Sequence, residues 1–64
     1  MPKYDIEVEL SGQNGNVFNL IAICKRAMSR NKVPKEEVDK FVEEATSGDY
    51  DHALGVMQEW LIVN

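Results

Sequence analysis

The chain has 64 residues, of which 44% are hydrophobic and 28% are charged, and its formal net charge at pH 7 is −4. This length predicts a single domain, residues 1–64, and leaves no room for a cofactor-binding α/β fold or a second catalytic lobe. Because the sequence has one cysteine and one histidine, it also excludes an internal disulfide and argues against a structural zinc site.

The first predicted element is a β-strand over Tyr4–Leu10. Apolar and acidic residues alternate there, which is typical of a strand with one buried face and one solvated face. The predicted inward residues are Tyr4, Ile6, Val8 and Leu10, and the outward ones are Asp5, Glu7 and Glu9.

A turn at Gly12–Asn16 precedes the first predicted helix, which Asn16 or Asn14 would cap. Residues spaced three and four apart predict the buried face of this helix. They are Val17, Leu20, Ile21, Cys24, Ala27 and Met28. Phe18 and Ile23 lie off this face, so the helix has more apolar surface than one contact requires.

The segment Ser29–Val33 is expected to end this helix, with Asn31 as a left-handed cap residue. Pro34 favours the first turn of a second helix, where Glu36 and Glu37 follow near its positive end. The apolar face of the second helix is narrow and comprises Val38, Phe41, Val42 and Ala45.

Asp49 is expected to cap a third helix, with Tyr50 leading into it. Its predicted apolar face comprises Ala53, Leu54, Met57 and Trp60, although Gly55 disfavours a long helix. The β-branched and aromatic run Trp60–Asn64 predicts a short terminal strand.

These elements predict an α+β fold of order βαααβ, in which the N- and C-terminal strands form a short sheet packed on helices. The pattern leaves open the orientation in which the strands pair. A two-stranded sheet has two free edges and is marginal alone. Edge-to-edge pairing of two copies, with Glu7 and Glu9 facing solvent, would extend it to four strands.

Composition also predicts the compartment and excludes a membrane partner. The segment Met1–Asp5 turns acidic before any apolar stretch, so we expect no signal peptide. The longest apolar runs, Leu20–Ile23 and Trp60–Val63, are far too short to span a membrane. A soluble cytoplasmic protein is expected, and the single thiol fits a reducing compartment.

The turn between the first strand and the first helix is the most site-like loop. Gly12 and Gly15 precede a helix N-terminus, where free amides and the helix dipole favour phosphate. However, Asn16 and Val17 follow, whereas a phosphate-binding loop needs lysine and a hydroxyl residue there. The sequence therefore favours a tight connection over a phosphate site.

Charge is unevenly distributed along the chain. Five basic residues and no acidic ones fall between positions 25 and 35, namely Lys25, Arg26, Arg30, Lys32 and Lys35. Eight acidic residues and one basic residue follow between positions 36 and 59. Helix dipoles account for this arrangement most simply. A basic patch that contacts nucleic acid is the alternative, which the net charge disfavours; a weakly acidic mimic of DNA ranks lower still.

No catalytic or metal site is predicted, and no cofactor. Asp49 and Asp51 flank His52, but neighbouring helical positions point about 100° apart. Cys24 lies on the buried face without a base nearby, as a small hydrophobe would. Glu37, Glu44 and Asp51 are interpreted as an ordinary solvated face.

Three residues are candidates for a protein interface. Phe18 and Ile23 lie outside the main apolar face of the first helix, and Trp60 is the only tryptophan. Tryptophan is common among interface anchors, although core packing is the more frequent role.

The segments 12–18 (GQNGNVF) and 44–54 (EATSGDYDHAL) resemble a group of short uncharacterised proteins of bacteriophages and prophages. The resemblance implies an accessory protein in the cytoplasm of a bacterial host, and it implies no reaction. Together with the residues above, it predicts a non-enzymatic module that acts by protein–protein interaction and self-associates as a homodimer. Nucleic-acid binding through residues 25–35 is the second hypothesis.

Overall fold

Two short strands enclose three helices in the chain order. A computed structural model describes residues 2–11 and 15–64. The elements are β1 (Glu7–Val8), α1 (Val17–Arg30), α2 (Lys35–Ala45), α3 (Tyr50–Trp60) and β2 (Ile62–Val63). This order confirms the predicted α+β fold, with the strands from the two ends of the chain forming one sheet.

The two strands pair in parallel, with Glu7 opposite Ile62 and Val8 opposite Val63. Backbone bonds extend the pairing beyond the strands, since the Tyr4 amide donates to the Trp60 carbonyl at 2.9 Å. A parallel pair needs a long crossover connection, which the three helices provide. The structure thus decides the orientation that the sequence left open.

The alternation that predicted β1 is confirmed, although only two residues have regular strand pairing. Ile6 and Val8 are buried, while Asp5, Glu7 and Glu9 are exposed. At the other end the predicted strand over 60–64 is too long. Trp60 belongs to α3, because the following amide, of Leu61, still donates to the Met57 carbonyl and completes the last helical turn.

Asn16 caps α1, since its side-chain oxygen accepts a 2.9 Å bond from the Phe18 amide. The alternative cap, Asn14, lies outside the described residues. The predicted buried face of α1 is confirmed. Four of its residues are buried, namely Leu20, Ile21, Cys24 and Met28. The other two, Val17 and Ala27, are half-buried.

The expectation that Asn31 takes the left-handed conformation is wrong. Asn31 has a φ of −95°, and Lys32, with a φ of 62°, is the left-handed residue. The Val33 amide donates to the Met28 carbonyl at 3.0 Å and the Lys32 amide to the Ser29 carbonyl at 3.1 Å. This pair of bonds is a Schellman motif, which places the left-handed residue one position after the cap.

Helices α2 and α3 begin within a residue of the predicted positions. Pro34 is the N-cap of α2 rather than its first residue, and the buried residues Val38, Phe41 and Ala45 were predicted. In α3, Gly55 is exposed and does not interrupt the helix. Val56 is buried and was missed, whereas Leu54 is half-buried.

The core lies where the three helices and the sheet meet. Its largest fully buried side chains are Phe41, Met28, Met57, Leu61 and Cys24. No polar or charged described residue is buried. Among the described residues, the interior therefore consists of apolar side chains.

Candidate interaction surfaces

The three predicted interface residues lie in different environments. Phe18 is 70% exposed on the first turn of α1, and Ile23 is half-buried further along the same helix. Trp60 is only 3% exposed, with its ring 5.6 Å from Phe41 and 6.1 Å from Tyr4. Trp60 is therefore a core residue in this fold, and its placement among the interface anchors is corrected.

Tyr50 is an exposed aromatic residue that the sequence analysis did not select. It is 43% exposed, and Phe18 and Tyr50 are the exposed large hydrophobic side chains of residues 2–11 and 15–64. Both line one groove of about 150 Å³, together with Val17, Ile21 and Ala45. We call this feature the aromatic groove. The only sequence signal for Tyr50 was a large ring placed before the apolar face of α3.

Helix caps position the two rings of the aromatic groove. The Asn16 cap begins α1 at Val17, which places Phe18 one residue later and off the buried face. The Asp49 cap begins α3 at Tyr50, and its Oδ1 accepts a 2.8 Å bond from the His52 amide. Both rings thus project from first turns of helices, where few neighbouring side chains cover them.

A tight turn between α2 and α3 forms one wall of the aromatic groove. The His52 Nε2 lies 2.9 Å from the Glu44 carbonyl oxygen and 3.1 Å from the Ser47 Oγ. Because a carbonyl only accepts, this nitrogen carries the proton and donates. His52 therefore bonds a carbonyl at the C-terminus of α2, to which the Ser47 hydroxyl also donates at 2.7 Å.

The candidate basic residues are all exposed and form no common pocket. Lys25, Arg26 and Arg30 lie on α1, Lys32 in the turn and Lys35 at the start of α2. Within the described part of the chain, none of the five forms an ion pair. Arg26 and Arg30 share a groove with Glu7 and Glu9, which are of opposite charge.

The glycines of the predicted phosphate turn are only partly described. Gly12 lies outside the described residues. Gly15 lies beside Tyr50, where an added Cβ would be 3.9 Å from the Tyr50 hydroxyl oxygen. The described end of the turn thus adjoins the aromatic groove.

Glu37, which the sequence placed on a solvated face, instead ties the N-terminal segment to α2. Its Oε1 lies 2.8 Å from the Lys3 Nζ and accepts a 3.1 Å bond from the Tyr4 hydroxyl. The Lys3 bond lowers the pKa of Glu37, and the Tyr4 bond acts in the same direction. The same Lys3 ammonium lies 4.2 Å from the centre of the Trp60 ring. This cluster covers the core tryptophan.

Cys24 is fully buried, and burial raises the pKa of its thiol to about 11. A thiol in this environment is a poor nucleophile. Among residues 2–11 and 15–64, no three His, Cys, Asp or Glu side chains lie where they could share a metal ion. No helix in these ranges has the length and apolar character needed to cross a membrane.

No protein-family model, no curated protein and no solved structure matches this chain. The function therefore has to be argued from its surfaces.

Proposed function

We propose that this protein is a non-enzymatic interaction module that binds a second copy of itself through the aromatic groove. The observation that carries the proposal is that Phe18 and Tyr50, the exposed large hydrophobic residues of the described chain, meet at one groove. Contiguous apolar surface of this kind is typical of protein–protein contacts. The resemblance to short bacteriophage proteins supports an accessory role in a phage or prophage.

The aromatic groove has the form that a symmetric pair requires. In a two-fold dimer the same patch of each subunit contacts the other, so the patch has to be complementary to itself. Phe18 protrudes with 70% of its surface exposed, directly beside a depression of about 150 Å³. Each Phe18 ring can therefore enter the groove of the other copy, with Tyr50 closing over it.

The energy available from this contact is substantial for so small a domain. Burying an aromatic side chain of this size stabilises a complex by about 1.5–3 kcal/mol. A two-fold pair buries four rings, two from each copy, and each contributes only a part of this value because Phe18 is 70% and Tyr50 43% exposed in the single chain. Asp49 lines the same groove and Asp51 is exposed two residues further along the chain, so like charges oppose the association. We therefore expect the dimer to tighten as salt is added.

Sedimentation velocity over a range of concentrations tests the proposal. The protein should shift from monomer to dimer as concentration rises, and Phe18→Ser or Tyr50→Ser should keep it monomeric. Asn19→Ser is the matched control, because Asn19 is exposed next to Phe18 on α1. A protein that stays monomeric throughout, or a dimer that both serine variants leave intact, would contradict self-association through this groove.

Nucleic-acid binding is the second candidate. It is favoured by the exposure of Lys25, Arg26 and Arg30 along α1 and by their lack of ion pairs with described residues. It ranks lower because Glu7 and Glu9 lie in the same groove as the two arginines. Phosphate contacts would give affinity that falls with salt, with a slope of about 0.9 per contact on a log–log plot. Absence of a gel shift at low salt would remove this candidate.

A further inference from the structure

Strand β1 has one paired edge and one free edge. The carbonyls of Ile6 and Val8 accept bonds from the Ile62 and Asn64 amides, both at 2.9 Å. Backbone groups alternate in direction along a strand, so the amide and carbonyl of Glu7 point away from β2. No described residue bonds to them. The free edge is therefore open to another strand.

The outer edge of β2 has fewer free backbone groups for another strand to bind. The Leu61 amide on that side already donates to the Met57 carbonyl at 2.9 Å. Within the described chain, the β1 side of the sheet thus has the longer run of free backbone groups, at Glu7 and Glu9.

A groove of about 230 Å³ lies below the free edge, between β1 and α1. Ile23 and Ala27 form its apolar floor, and both are half-buried. Arg26 and Arg30 line the same groove from α1. We call this the edge groove. A strand added beside β1 would place alternate side chains over this floor and the others on the outer face of the sheet.

The acidic residues of β1 argue against a second copy as the added strand. Two copies related by a two-fold axis would pair their β1 strands antiparallel. Glu7 and Glu9 present their backbone groups to the free edge, so an antiparallel register that pairs these two residues sets one acid opposite another. Like charges directly opposite each other destabilise a sheet. The edge-to-edge dimer considered from the sequence therefore carries an electrostatic penalty.

We propose that the free edge of β1 binds an extended segment of a different protein in which basic and apolar residues alternate. The basic side chains would lie on the outer face beside Glu7 and Glu9, and the apolar ones would pack on Ile23 and Ala27. Arg26 and Arg30 flank the floor of the groove and repel a basic residue that points inward. The acidic residues on the outer face and the arginines in the groove thus determine which side chains of the added strand are basic and which are apolar.

This surface is separate from the aromatic groove, because the two share no lining residue. Self-association and strand addition can therefore succeed or fail independently. Phe18→Ser, which disrupts the proposed dimer, should leave strand addition unchanged.

The proposal is tested with a synthetic peptide in which lysine and valine alternate. Its length is about six residues, which is usual for a strand. On titration into the full chain, the exchange of the Glu7 amide proton should slow about tenfold as it becomes hydrogen-bonded. A peptide of the same composition with its lysines and valines in separate blocks is the first control. A peptide with glutamate in place of lysine is the second, and neither should protect Glu7.

Two substitutions at one position separate charge from backbone pairing. Glu7→Pro removes the outward amide together with the carboxylate, which accepts a 3.1 Å bond from the Asn64 side chain, and leaves the backbone bonds to β2, so it should reduce affinity about tenfold. Glu7→Gln removes only the charge and should reduce affinity about threefold. Glu43→Gln is the matched control, because it removes one exposed charge from α2. The native tryptophan signal of Trp60 checks that each variant is folded.

Three results would overturn the proposal. The first is no protection of Glu7 by the alternating peptide. The second is equal binding of the alternating and block peptides, which would indicate charge attraction alone. The third is protection of Glu7 by the protein itself as its concentration rises, which would identify a second copy as the occupant.

Discussion

The imidazole of His52 covers Gly48 so closely that a Cβ built on Gly48 would lie 2.7 Å from the His52 Cγ. The ring is held there because its Nε2 donates to the Glu44 carbonyl at the end of α2. Gly48 and His52 together close the turn between α2 and α3, and this turn forms a wall of the aromatic groove. Glycine is required at position 48 by this close approach.

Gly48→Ala should lower the free energy of unfolding by about 1–2 kcal/mol, because the ring has to move and its hydrogen bond is lost. Urea denaturation measures the change. The control is the same substitution in a His52→Ala background, where the ring is absent. There the cost of Gly48→Ala should shrink without disappearing, because the Cβ of residue 52, 2.9 Å from the added Cβ, remains; an unchanged cost would show that the His52 ring is not its cause.

Lys32→Gly should raise the free energy of unfolding by about 1 kcal/mol, because Lys32 has a φ of 62° and glycine adopts this conformation without strain. Lys32→Ala keeps the strain while removing the charge, so it should give no gain. Asn31→Gly should destabilise the protein, since the Asn31 side chain donates to the Ala27 carbonyl at 2.8 Å. If Asn31→Gly stabilised the chain instead, the assignment of the motif would be wrong.

Glu37→Gln should cost more stability at neutral pH than in acid. The Lys3 bond lowers the pKa of Glu37, so the ionised carboxylate stabilises the fold above its ordinary pKa, near 4.5. That contribution is lost as the pH falls below 4.5 and through the lowered folded-state pKa. Denaturation of wild type and variant at several pH values should show their difference shrinking in acid. Glu36→Gln is the control, because Glu36 is exposed and forms no ion pair with a described residue.

The Cys24 thiol should react with a disulfide reagent far more slowly in the native protein than in urea. It is fully buried, and its pKa is raised to about 11, so little thiolate is present at neutral pH. The rate of colour release from an aromatic disulfide measures this, with the denatured protein as the reference for a free thiol. Equal rates in the two states would contradict the burial of Cys24.

The helices were predictable because their signals are local. Spacing of three and four residues identified the buried faces of α1 and α2, and Asn16 and Asp49 marked the first turns through their capping side chains. Trp60 was predicted both on the apolar face of the third helix and at the start of the terminal strand, because an aromatic residue before Leu61 and Ile62 fits a strand as well as a final helical turn. Only the bond from the Leu61 amide to the Met57 carbonyl separates the two.

Of the two exposed aromatic residues of the aromatic groove, the sequence predicted one. Phe18 stood out because it lies off the apolar face of its own helix, which is a property of the sequence. Tyr50 did not, because its exposure depends on how the end of α2 and the start of α1 pack around it. Glu37 was interpreted as solvated for the same reason, since Lys3 and Tyr4 reach it from a segment more than thirty positions away.

The sequence by itself determined the α+β class, the order of the elements and the buried faces of β1, α1 and α2. These follow from side-chain periodicity, which is set within a few residues along the chain. Only the tertiary structure decided that the strands run parallel, that Phe18 and Tyr50 share one groove, and that β1 leaves an acidic edge free above Ile23 and Ala27. These relations join residues that are distant in sequence, and packing of the whole chain brings them together.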